Sequence, residues 1–157
     1  MPNTTAGIKF EDFVQNVITL KGLPVITYKE FKNNKSQSNV LVKHFPYISV
    51  FNEENRTEFV LLKDGRRIRI ECKYQATKGS VDNGIYMAYG NAKIQPEEEI
   101  LFVVEAKGMR PTRLQYLKDA TQNNLDLPPD SKKYMRVMNS YELVKWAKNG
   151  FPHLSTT

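Results

Sequence analysis

The side chains best placed to do chemistry crowd into one stretch, Thr57 to Gln75, TEFVLLKDGRRIRIECKYQ. Phe59-Val60-Leu61-Leu62 is a short apolar run, and Arg67-Ile68-Arg69-Ile70 alternates polar with apolar at the period of a strand. Between them, Asp64-Gly65 predicts a two-residue hairpin loop. Lys63 then faces Arg66, and counting back along both strands sets Glu58 opposite Glu71. Opposed side chains in an antiparallel pair sit about 4.5–5.5 Å apart at Cβ, and like charges there are destabilising. Lys73 follows two residues later on the same face, and Gln75 two beyond that. Two carboxylates, an amine and an amide are therefore aimed at one spot. A divalent cation would turn their repulsion into coordination. Glu53 and Glu54 compete with Glu58 for the first acidic position, but opposition to Glu71 favours Glu58.

With the acid on the preceding strand and Gln75 two after the lysine, Glu71-Cys72-Lys73 resembles the PD-(D/E)XK nuclease superfamily. Phage and bacterial members of E-C-K-x-Q type follow that segment with a G-S-V-D stretch, as in Gly79-Ser80-Val81-Asp82. An apolar strand, a Gly/Arg/Pro turn and a helix come next, like Ile100 to Val104, Gly108-Met109-Arg110-Pro111 and Thr112 to Lys118. The resemblance covers residues 7–120. It departs from the family where Glu58 stands in place of the commoner Asp, where the Pro-Asp pair is absent, and where Asn83-Gly84 replaces Glu-Lys.

The resemblance implies a restriction-endonuclease-like domain that hydrolyses phosphodiester bonds in double-stranded DNA. Such chemistry needs a nucleophilic water, charge stabilisation on the phosphoryl oxygens and help for the leaving oxygen. Glu58 and Glu71, with the Cys72 carbonyl as a third oxygen donor, suit Mg²⁺, with Mn²⁺ as a substitute. Lys73 would orient the water or neutralise developing charge. Acting as a base would require its pKa to fall from about 10.4, against the pull of the neighbouring carboxylates. Gln75 would position the water or a phosphate. Sequence-specific cleavage of restriction or homing type heads the readings. A structure-specific junction resolvase, an exonuclease and a non-catalytic DNA-binding module on the same fold stay open beside it. A third class, a basic interaction protein with Glu58–Lys73 and Glu71–Arg69 as surface ion pairs, needs no metal.

The remaining composition agrees with an anionic partner. The chain has 157 residues, 40% of them hydrophobic, which bounds it to one ordinary globular domain spanning 1–157. Its 23 basic and 17 acidic residues give a net charge of +6, favouring nucleic acid over membrane. The N-terminus lacks the pattern of a secretory leader, and the expectation is a cytoplasmic protein of a bacterial or phage-infected cell. One cysteine and two histidines leave no basis for a cysteine- or histidine-rich metal centre. With one site per chain, double-strand cleavage calls for a homodimer or higher homo-oligomer.

The flanking elements must present this hairpin. Phe10, Phe13, Val14, Val17 and Ile18 recur at helical spacing over residues 7–20. Within that helix Glu11 reads either as a first-turn acid favourable to the helix dipole or, by the resemblance, as an acid pointing into the metal site. Residues 29–45, carrying Lys29, Lys32, Lys35 and Lys43 among Asn, Ser and Gln, read as a solvated loop able to contact DNA. Tyr47 to Phe51 reads as the first strand. After Gln75 comes a loop in which Lys78 and Ser80 could hold a phosphate, then a short helix around Ile85–Ala92 whose Tyr86 and Tyr89 read as core. Ile100 to Val104 is a strand buried on both faces, and Pro111 opens a helix with Arg110 and Arg113 near its positive end. A last strand, Tyr134 to Met138, leads to a helix capped by Ser140. The expected architecture is α/β, a mixed central sheet flanked by helices in αβββαβ order with a C-terminal strand and helix.

Overall fold

The computed structural model describes residues 5–74 and 82–156, with the backbone alone for 82 and 83. Six strands form one mixed sheet in chain order: β1 (Val25–Thr27), β2 (Val40–Ile48), β3 (Glu54–Lys63), β4 (Arg66–Tyr74), β5 (Glu99–Glu105) and β6 (Tyr134–Met138). The central β2–β3–β4 meander is antiparallel, while β1, β5 and β6 join it in parallel. The helices are α1 (Thr5–Ile18), α2 (Tyr28–Asn33), α3 (Asp82–Ile94), α4 (Pro111–Asn123) and α5 (Ser140–Lys148). This is the expected α/β sheet with flanking helices.

Asp64 and Gly65 both have positive φ, 50° and 80°, the backbone of the tight turn that an Asp-Gly hairpin demands. The register follows from it: Lys63 pairs with Arg66 and the ladder runs back to Phe59–Ile70. Side chains alternate across β4, so each face has its own role. Ile68, Ile70 and Cys72 join Phe10, Val14 and Ile18 of α1 and Leu143 and Trp146 of α5 in one core. On the other face, α3 and α4 cover Ile100, Phe102, Val104 and Met135. Phe31 of α2 covers Val40, Val42, Val60 and Leu62. Between these two apolar clusters, β4 lays down Arg67, Arg69, Glu71 and Lys73 as a polar seam. Arg67 lies 5.3 Å over the Phe45 ring and Arg69 4.0 Å over Tyr47.

Several expectations are corrected. Residues 29–45 are not a solvated loop, because α2 and much of β2 lie within them. The first strand of the meander runs over Val40–Ile48, not Tyr47–Phe51; Ser49 to Asn52 form the following turn, with Asn52 at φ 59°. The short β1 and α2 are additions to the expected order. The last helix is capped by Asn139 rather than Ser140, in a reciprocal capping box with Glu142. Tyr89 is core, as expected, but Tyr86 is exposed and stacks on Tyr116. Glu11 lies in the middle of α1, not in its first turn, so the helix dipole does not account for it.

Candidate active site

The β3–β4 ladder stops after Phe59–Ile70, while β4 continues beside β5 as far as Tyr74–Glu105. Beyond that point side chains take over the backbone partners. The Thr57 hydroxyl donates to the Ile70 carbonyl at 3.2 Å, and Glu58 Oε2 accepts the Cys72 N–H at 3.2 Å. The same residue interrupts the other ladder. The β2–β3 register runs from Lys43–Phe59 to Phe45–Thr57, and the intervening position opposite Glu58 is His44, whose φ is 55°. Glu58 thus sits where β3 parts from both neighbours.

Glu71 lies on the facing strand, 6% exposed. Its Oε1 accepts two hydrogen bonds from Arg69, 2.6 Å from Nη2 and 3.0 Å from Nε, and its Oε2 is 3.8 Å from Lys73 Nζ. Arg69 is 1% exposed. The Arg69–Glu71 pair expected as a surface contact is therefore buried, and it is an energetically demanding one. Sequence reasoning named Arg69 only as a surface partner of Glu71 and not as a buried member of the site. The parity that aligned Glu71 with Lys73 applies equally to Arg69 and could have placed it in the site.

The two acids are unequal. Burial, and then the charge of Glu71, push the Glu58 carboxyl up to about 8, against the opposing pull of Lys73. Burial also pushes Glu71 upward, but the charges of Lys73 and Arg69 and the Arg69 hydrogen bonds outweigh it and hold the carboxyl below its ordinary value. Burial works against the Lys73 ammonium, yet Glu71 and Glu58 raise its pKa. Lys73 is therefore held as a cation. Burial drives the Cys72 thiol well above its usual range, which removes it as a nucleophile. Glu11 is raised by burial and by Asp12, and feels the opposing charges of Lys43 and Lys73. The α1 acid accordingly borders the same opening.

A divalent cation fits this donor set. Among the described residues no three His, Cys, Asp or Glu side chains gather into a metal cluster; the acids come as a pair. Mg²⁺ is commonly held by one or two carboxylates and keeps waters of its own. Glu58 and Glu71 cannot both ionise cheaply without added positive charge. Arg69 occupies one oxygen of Glu71 and leaves Oε2 for another ligand. Glu53 and Glu54 stand apart, in the turn before β3 and at its first residue.

Of the expected nucleic-acid contacts, Lys32 lies on α2 and lines an open cavity of about 660 Å³. Lys35 is exposed in the turn after that helix. Arg110 is the N-cap residue of α4 and Arg113 lies in its first turn. The β5–α4 connection leaves the sheet from the end at which Lys73 lies. Gln75, Lys78 and Ser80 fall outside the described residues.

The chain matches the family model of the PD-(D/E)XK nuclease superfamily domain over residues 3–151, and it belongs to that superfamily. Its nucleases typically use divalent metals and act on DNA. No curated protein matches the chain. Among the described residues no helix is long and apolar enough to cross a membrane.

Proposed function

We propose that this protein is a Mg²⁺-dependent DNA endonuclease of sequence-specific type, with one active site per chain. The observation that carries the reading is the acid pair of half-buried Glu58 and buried Glu71, set where the β3–β4 ladder ends and flanked by a lysine held as a cation. Glu58 and Glu71 hold the metal, with the Cys72 carbonyl as a further oxygen donor. When bound, the metal supplies Lewis-acid polarisation of the scissile phosphate and activates water. Lys73 neutralises charge growing on the phosphoryl oxygens and orients the attacking water through N–H donation, rather than removing its proton. Glu11 accepts a hydrogen bond from that water, and Gln75 positions water or phosphate. Arg69 keeps Glu71 ionised and fixed in orientation. Lys32, Lys35, Lys78, Ser80, Arg110 and Arg113 contact the sugar–phosphate backbone. Two copies related by a two-fold axis would cut both strands.

The test is cleavage of a supercoiled plasmid library in Mg²⁺, Mn²⁺ or Ca²⁺, followed by sequencing of the ends. Metal-dependent ends clustered at one sequence are expected. Ends clustered at branched structures would replace the sequence-specific reading with a resolvase. Binding without cleavage in any metal would leave a non-catalytic module.

A further inference from the structure

The cavity of about 660 Å³ is lined by Lys29 and Lys32 from α2, Lys43 and His44 from β2, and Arg56 and Glu54 from β3. Glu54 is the one acid among its described lining residues. Lys43 acts electrostatically on Glu11, His44 stands at the break in the β2–β3 ladder across from Glu58, and Arg56 precedes Glu58 by two residues on β3, so these lining residues adjoin the acid pair in the sheet. Among the described residues, His44 is the one with left-handed backbone inside a strand, a conformation that is uncommon outside glycine and that clusters at functional sites. Burial, then Lys43, then Arg56 lower the pKa of its imidazole.

We propose that this cavity is an anion subsite that receives a phosphate of the substrate strand next to the scissile one, a reading that rests on the nuclease assignment. Three chemistries converge there. Lys29, Lys32 and Lys43 supply point charges, the Arg56 guanidinium can make a two-pronged contact with phosphate oxygens, and His44 can donate an N–H. Thr27, Tyr28 and Pro46 complete the wall, and the last two offer apolar contact to the sugar. The phosphate could be an internal phosphodiester or the monoester of a strand end.

The test measures affinity against salt concentration in Ca²⁺ for the full chain. Its probes are a closed circular plasmid, a 5′-phosphorylated duplex and the same duplex with 5′-hydroxyl ends. The variants are Lys29→Gln/Lys32→Gln and Arg56→Gln, with Lys148→Gln on α5 as control and melting temperature as a check on folding. Each lost phosphate contact lowers the slope of log affinity against log salt by about 1. A slope reduced by about 1 in the double variant and by up to about 1 in Arg56→Gln, on the circular plasmid as well, assigns the subsite to an internal phosphodiester. A reduction confined to the 5′-phosphorylated duplex assigns it to a strand end. Slopes equal to wild type on every probe, or an equal reduction in Lys148→Gln, would overturn the proposal. Metal-dependent cleavage by the wild type is read separately, so loss of the nuclease reading would show there and not in the slopes.

Discussion

Replacing Glu58 with Gln removes a charge that the metal-free fold resists, and the consequence is a stability profile of defined sign. In the folded chain the Glu58 carboxyl is pushed from 4.5 up to about 8 by burial and by Glu71. Between those values the native state binds more proton than the unfolded one, so stability falls as pH rises through the window. At about 1.4 kcal/mol per pH unit, the loss by pH 8.5 is on the order of 5 kcal/mol. For a domain of this size 1 kcal/mol corresponds to roughly 2–4 °C, so Glu58→Gln should raise the metal-free melting temperature by ~10 °C at pH 8.5 and by little near pH 4.5. Glu71, with its lowered pKa, contributes stability that is lost on acidification below this window. Lys73 contributes stability that is lost only above its ordinary range. His44 has a lowered pKa and titrates within the window with the opposite sign, but it is common to both proteins and cancels in their difference. Adding Mn²⁺ at 100 times its dissociation constant should stabilise the wild type by about 2.7 kcal/mol, and Glu58→Gln should forgo most of that gain. Melting by circular dichroism from pH 4.5 to 8.5, with and without Mn²⁺, checks it. A difference between the two proteins that is flat with pH would refute the buried like-charge pair. Retention of the Mn²⁺ gain in Glu58→Gln, with its loss in Glu54→Gln, would move the ligand to Glu54.

Two further outcomes follow from the same seam and hairpin. Arg69→Met leaves Glu71 buried without its main partner and should cost about 3 kcal/mol in urea denaturation, whereas a surface pair would cost under about 1 kcal/mol. Gly65→Ala forces a Cβ onto a backbone at φ 80° and should cost about 1 kcal/mol; no loss would argue against the tight turn that sets the register.

Local signals carried the centre of the fold. Asp64-Gly65 and the alternation after it placed the hairpin in register, and the Tyr134–Met138 strand coincides with β6 because it is bounded by turn residues on one side and a helix cap on the other. The segment from Val25 to Val42 was illegible for a physical reason. Its apolar runs are two or three residues long, set among Lys, Asn and Ser, and they become strands by pairing with chain more distant in sequence. The acid pair was visible through parity, but its inequality was not. That inequality depends on the burial of Arg69 beneath Tyr47 and on where the ladder stops, and both are tertiary facts. Glu11 reads as a first-turn acid only while its distance from the helix start is neglected; it is the seventh residue of α1.

The central claim is that Glu71 and Lys73 act on the scissile phosphate rather than holding the duplex. Nicking of supercoiled plasmid in Mg²⁺ by Glu71→Gln and Lys73→Ala, beside binding isotherms in Ca²⁺, tests it most directly. Cleavage should fall by at least about 10²-fold in each with affinity within a few-fold of wild type. Wild-type nicking rates in either variant would contradict it.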